Sequence, residues 1–235
     1  MEQFGQYAVK PASEMMMLGV GQPSPQILKE ANNFIKLNEL ENNDINLLQY
    51  GLKQGFSSYR KFIKKLLGEF SNVSNDETKE DNIYMTNGIS QSIFMISSLL
   101  RSTYDTVYVE DLTYFIMINV FKDLKYNIKT FNITDMNKLQ SDLKKEKNGA
   151  LVYCIPFCNN PTGLTMKNNQ LTDFLNSIQE STIILSDETY QFLHYNLCKD
   201  NIPNKPIAFY KENIISLGTL LNILCPNKFS SVLHS

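Results

Sequence analysis

From residue 83 onward, short apolar runs alternate with segments of helical period. The runs at 83–86, 106–110, 127–133, 150–156, 182–186 and 213–217 are rich in β-branched and aromatic residues and have the length of strands. Between them, 90–100, 115–124 and 171–178 read as helices. In the last, Leu171, Phe174, Leu175 and Ile178 recur at i, i+3, i+4 and i+7 and make one apolar face. Several strands, 182–185 most clearly, are apolar on both faces, as expected when helices cover a sheet on both sides. Alternating strands and helices therefore predict an α/β fold with a mostly parallel sheet covered by helices.

Upstream, 58–70 reads as an amphipathic helix whose stripe is Tyr59, Phe62, Ile63, Leu66, Leu67 and Phe70. The polar stretch 71–82 reads as a connecting loop. The segment 1–45 is punctuated by Gly and Pro and then helical from about residue 25. It is expected to be an arm plus part of a small domain, with the large domain at 46–235. The 235 residues carry 22 Lys and Arg against 24 Asp and Glu, so no basic surface argues for nucleic acid or an anionic membrane. The longest apolar stretch, near 92–100, falls short of the roughly 18 residues a membrane span needs. No secretory signal opens the chain. Cys154, Cys158, Cys198 and Cys225 are too scattered for a disulfide scaffold, and Cys154-x3-Cys158 lacks the further ligands zinc requires. Reduced, structural thiols and a cytoplasmic location are expected, with no metal, nucleic acid or membrane partner.

In parallel α/β sheets ligands bind beyond the carboxyl ends of strands. Asn87-Gly88-Ile89-Ser90 follows the 83–86 run and opens a helix, either as a tight turn with a serine cap or as a phosphate site. Asp111-Leu112-Thr113-Tyr114 places an aromatic residue at the next strand end. Asn159-Asn160-Pro161-Thr162-Gly163 follows 150–156 and has the composition of a turn. Ser186-Asp187-Glu188-Thr189-Tyr190 leaves a carboxylate at the sheet mouth, either structurally paired or facing a cationic ring nitrogen.

Together with Leu18-Gly19-Val20-Gly21-Gln22-Pro23, Tyr50-Gly51-Leu52-Lys53-Gln54-Gly55 and Ser216-Leu217-Gly218-Thr219, these motifs closely resemble the class I/II aminotransferases, fold-type-I enzymes dependent on pyridoxal 5'-phosphate (PLP). The resemblance runs from about residue 18 to 226. It implies the large domain of the aspartate aminotransferase-like PLP-dependent transferase fold, and an enzyme of amino acid metabolism moving an amino group from an amino acid to a 2-oxo acid. It also assigns roles. Gly88, Ile89 and Ser90 would hold the cofactor phosphate, with Thr219 nearby. Tyr114 would stack on the ring, Asp187 would pair with its protonated nitrogen, and Asn160 and Tyr190 would hydrogen-bond its phenolic oxygen. Tyr50 would reach the neighbouring subunit's cofactor, which implies a homodimer, and Gly21 would contact the substrate carboxylate.

Two departures stand out. The resemblance places a lysine, the residue that links covalently to the cofactor and moves the proton, where this chain has Asn222. An amide is neither a nucleophile for an aldehyde nor a base near neutral pH. The arginine expected to neutralise the phosphate falls near Phe229, and the chain stops at Ser235, short of the family's C-terminal region. The family's sheet carries a further strand between the first strand and the Ser-Leu-Gly strand; residues 229–233 are apolar enough to form its stub. Without later helices an uncovered apolar face and poor solubility are expected. Catalysis by this chain is accordingly doubtful. The alternatives are a non-catalytic PLP-binding pseudoenzyme, a partner of an intact paralogue, or a gene fragment.

Overall fold

The central apolar runs become strands whose side chains are buried on both faces. In the computed structural model, which describes residues 53–71, 73–74, 77–193, 205–219 and 230–234, seven strands form one sheet. They are β1 (Ile83–Thr86), β2 (Thr106–Glu110), β3 (Asn127–Phe131), β4 (Leu151–Cys154), β5 (Ile183–Asp187), β6 (Ile214–Thr219) and β7 (Ser230–His234), in the order β1-β7-β6-β5-β4-β2-β3. The pairs β2–β3, β2–β4, β4–β5 and β5–β6 are parallel. The expected stub is present as β7, which lies antiparallel between β1 and β6, with Ser230 opposite both Thr86 and Thr219.

Strand alternation divides the core in two. Val107, Val109, Leu151, Tyr153 and Leu185 face α2 (Ile89–Leu100) and α3 (Phe115–Asp123), which contribute Ile93, Met117 and Phe121. Tyr108, Val152, Cys154 and Ile184 face α4 (Met136–Leu143) and α5 (Asn168–Ser177), which contribute Leu139, Leu143, Leu171 and Phe174. Helix α1 (Ser57–Ser71) sits at the β1 side, where Ile63 and Leu67 pack with Val73 and Ile83. Its stripe is only partly covered, because Phe62 and Phe70 are exposed. Arg60 is buried instead, held by the Gly55 and Glu80 carbonyls and an ion pair with Glu80 at 3.2 Å.

Two strand ends, one helix and one turn differ from the sequence pattern for physical reasons. Strand β3 ends at Phe131 because its partner β2 ends opposite it at Glu110. Strand β4 ends at Cys154: the Ile155 N–H donates to the Glu110 carboxylate at 2.8 Å, and Pro156 has no N–H to offer. Helix α4 was not expected; Asp135 caps it by accepting from the Lys138 N–H at 3.0 Å. The loop 71–82 also closes with a short 3-10 turn at Glu80–Asn82.

Candidate functional site

Strands β1, β2, β4, β5 and β6 all end at one rim of the sheet, and the polar residues singled out in the sequence collect there. At the β1 end, Gly88 takes φ +96°, a conformation other residues avoid, and a side chain there would stand in open space. The turn is held from behind. The Thr86 and Ser92 hydroxyls meet at 2.6 Å, and the Gln91 side chain accepts the Asn87 N–H at 2.6 Å. Gly88 caps α2 with no side-chain bond, and among the described residues nothing accepts the Ile89 or Ser90 N–H. Free N–H groups at the positive end of a helix, with no side chain in the way, form an anion cradle.

Tyr114 stands at the start of α3, half-buried and edge-on to Phe115 at 5.5 Å between ring centroids. The turn after β4 opens with the cis peptide Asn160–Pro161, and the Asn160 side chain lies beside the Tyr190 phenol, whose pKa burial raises and Asn160 lowers. Asp187 ends β5 and is only 5% exposed. Its Oδ2 accepts the Tyr153 hydroxyl at 2.8 Å, and its Oδ1 accepts the Thr189 hydroxyl at 2.6 Å and the Thr189 N–H at 3.2 Å. Burial pushes its proton affinity up, against the pull of those donors. Thr219 ends β6 and is buried. Asn160, Tyr190 and Asp187 are thus brought together, while Gly88, Ile89, Ser90, Tyr114 and Thr219 share the same rim. Gly21, Tyr50 and Asn222 lie outside the described residues.

Three residues of the rim escape a reading by motif. Glu110, 7% exposed, ends β2 and accepts the Ile155 N–H and the Asn159 amide at 2.8 and 2.9 Å. Glu188, 2% exposed, accepts the Ile207 N–H at 2.9 Å and the Ser216 hydroxyl at 2.5 Å. Burial lifts each of these carboxyls to about 7. The third is Tyr153, the donor to Asp187. Among the described residues none of the three acids has an ion-pair partner, and no group of His, Cys, Asp and Glu is arranged to hold a metal. The signal for the two glutamates was there: each is an acid at the end of an apolar run. A cleft of about 440 Å³ also opens on the α4–α5 side, with Glu110, Phe131, Asn159 and Met166 in its wall, away from Asp187 and Tyr190.

A cationic ring nitrogen beside Asp187 and an anionic phosphate at Gly88 would complement this rim. A buried carboxylate with no cation among the described residues, and free N–H groups at a helix start beside a glycine, are the two complements such a group needs, so the described residues fit PLP.

Comparison with known proteins agrees. The model of the family "Aminotransferase class I and II" matches residues 13–220. Aromatic-amino-acid aminotransferase 1 of Thermococcus litoralis is 29% identical over 226 residues, covering 91% of this chain and 52% of the relative. An archaeal alanine:glyoxylate aminotransferase superposes with a TM-score of 0.79 at 21% identity, over 92% of this chain and 55% of that one. Kynurenine aminotransferase of Pyrococcus horikoshii, solved in complex with PMP, has a TM-score of 0.75 at 23% identity with the same coverages. The chain spans about half the length of the curated relatives it matches. Pyridoxal phosphate is the cofactor expected of these proteins, and the expected large-domain fold is the one observed. With the ordered strand-end motifs and a family match across most of its length, the chain belongs to the class I and II aminotransferase family.

Proposed function

We propose that this chain is a PLP-binding member of the family that, as its sequence stands, does not transfer amino groups. The reading is supported by a contrast: Asp187 is buried with no ion-pair partner among the described residues, while Asn222 stands where the family resemblance calls for a lysine. When bound, PLP supplies an aldehyde and an electron-withdrawing ring.

Each residue has work of its own in this reading. Asp187 would hold a proton on the ring nitrogen. The Gly88, Ile89 and Ser90 N–H groups and the Ser90 hydroxyl would bind the phosphate, with Thr219 beside them. Tyr114 would cover the ring, and Asn160 and Tyr190 would donate to its phenolic oxygen. Gly21 would lie near the substrate carboxylate. Asn222 can neither attack an aldehyde nor accept a proton near neutral pH, and loss of a positioned base alone costs about 10²–10⁴ in rate. The substrates of the reading are those of the family, an amino acid and a 2-oxo acid. A homodimer, with Tyr50 reaching the neighbouring site, is supported by an exposed apolar face on α2 formed by Phe94, Met95 and Leu99.

The test is a titration of the purified chain with PLP, followed by visible absorbance and by quenching of tyrosine fluorescence; the chain has no tryptophan. Saturable binding that disappears in Asp187→Ala is expected, with no transamination. Absence of binding would overturn the reading, and so would turnover by the unaltered chain.

A further inference from the structure

The Asp187 carboxylate is held from two directions. One oxygen is fixed by Thr189, its near neighbour in sequence; the other is fixed by Tyr153, which lies on a different strand. The sheet register explains why Tyr153 reaches it. Tyr153 on β4 stands opposite Leu185 on β5, so Asp187 is its diagonal neighbour on the same face. A long aromatic side chain can span that diagonal, whereas a Ser or Thr could not. The Tyr153 ring is fully buried and braced edge-on by Phe121, with ring centroids 5.7 Å apart and planes at 63°. Burial, and then the neighbouring Asp187, raise the phenol well above its ordinary value, so it stays a protonated donor.

We propose that Tyr153 is a positioning residue: its hydroxyl orients the Asp187 carboxylate toward the mouth of the sheet and keeps it ionised there. The assignment of Asp187 to the cofactor ring rests on the function proposed above; the coupling of Tyr153 to Asp187 does not. Thr189 and Tyr153 are the donors on Asp187. The other titratable groups near it among the described residues are Glu110 from β2, the thiol of Cys154 from β4, Glu188 after β5 and the phenol of Tyr190. Both glutamates are acids, so neither supplies charge that favours ionisation. Without Tyr153, the carboxylate would lose one of its two supports in a site with no cation among the described residues.

The experiment uses the whole chain labelled with carboxyl-¹³C aspartate, titrated with pH by NMR without cofactor; Asp187→Asn identifies the signal. In Tyr153→Phe the proton affinity of Asp187 should rise about tenfold or more, as loss of a hydrogen bond to a charged group implies. With ring-¹⁵N PLP added, the same variant should bind about tenfold more weakly, its nitrogen signal displaced toward the unprotonated position. An unchanged Asp187 titration in Tyr153→Phe overturns the proposal. If the unaltered chain does not bind PLP and the titration still shifts, the proposed function fails and the positioning role stands. Should Tyr153→Phe not fold, 3,5-difluorotyrosine at position 153 keeps the shape and makes a stronger donor. Asp187 must then titrate at lower pH, and no movement overturns the proposal.

Discussion

Raising the pH from 5 to 8 should destabilise this chain, and replacing Glu188 with Gln should remove a defined part of that loss. Glu188 is buried and its carboxyl is lifted from an ordinary value of 4.5 to about 7. An acid whose folded value is raised binds more protons in the folded state than in the unfolded state. Its contribution is therefore complete below the unfolded value and is lost as pH rises through the folded value. Between pH 5 and 8 one such group weakens folding by about 2 to 3 kcal/mol. Glu110, also lifted to about 7, acts in the same direction and window, while Asp187, whose value is raised by burial, acts in the same direction. Glu77 and Asp142 are held down to about 2 by lysine partners, so their titration lies below the window.

Glutamine at 188 keeps the acceptor that takes the Ile207 N–H and Ser216 hydroxyl but cannot ionise. Urea unfolding followed by far-ultraviolet circular dichroism at pH 5, 6, 7 and 8 reads the effect. The stability of the unaltered chain should fall with pH, and that of Glu188→Gln should fall by about 2 to 3 kcal/mol less over the range. The histidines are common to both proteins and cancel in the difference. Parallel stability curves for the two would refute the claim that the folded structure keeps a proton on Glu188.

Two further outcomes follow from the same structure. Gly149 has φ +78°, and a side chain there would meet the Ser181 carbonyl oxygen. Gly149→Ala should cost about 3 kcal/mol, measured by urea unfolding, from the strained φ and the forced backbone shift together. Asn222→Lys should return a nucleophilic amine to the lysine position of the family. After incubation with PLP and borohydride, mass spectrometry of the peptide containing residue 222 should show a phosphopyridoxyl adduct absent from the unaltered chain, and equal labelling of the two would count against the placement.

What could be read along the chain was set by distance in sequence. Strand β2 was legible because all five of its residues are buried, leaving an unbroken apolar run ending in an acid. Helix α4 was not, because it is short and mostly polar, and only Leu139 and Leu143 are buried in it. Strand ends depended on partners elsewhere: β6 extends to Thr219 because Ser230 of β7 pairs with it. The same division runs through the site. Asp187, Asn160 and Tyr190 stood out as polar residues at strand ends in a recognisable order. Tyr153 looked like one more aromatic residue of an apolar strand, since its role comes from a register across two strands. The stripe of α1 misled in the opposite way, because periodicity marks a face but not how much of it a neighbour covers, and Phe70 is left exposed with Phe192 edge-on to it.

Strand parity also explains why three acids at one rim are not interchangeable. Glu110 follows Tyr108 by two residues and so turns to the α4–α5 face, where it forms part of the cleft wall. Asp187 follows Leu185 by two and turns to the α2–α3 face, toward Tyr153 and the half-buried Tyr190. Glu188 comes one residue later and is taken up by Ile207 and Ser216. All three suffer desolvation, but among the described residues only Asp187 has both carboxylate oxygens bonded, by two hydroxyls and an N–H, whereas one Glu110 oxygen receives both of its donors. Near neutral pH, the two glutamates can relieve the cost of burial by taking up a proton. Asp187, the better solvated by the protein itself, is the acid left to meet a cation at the mouth of the sheet.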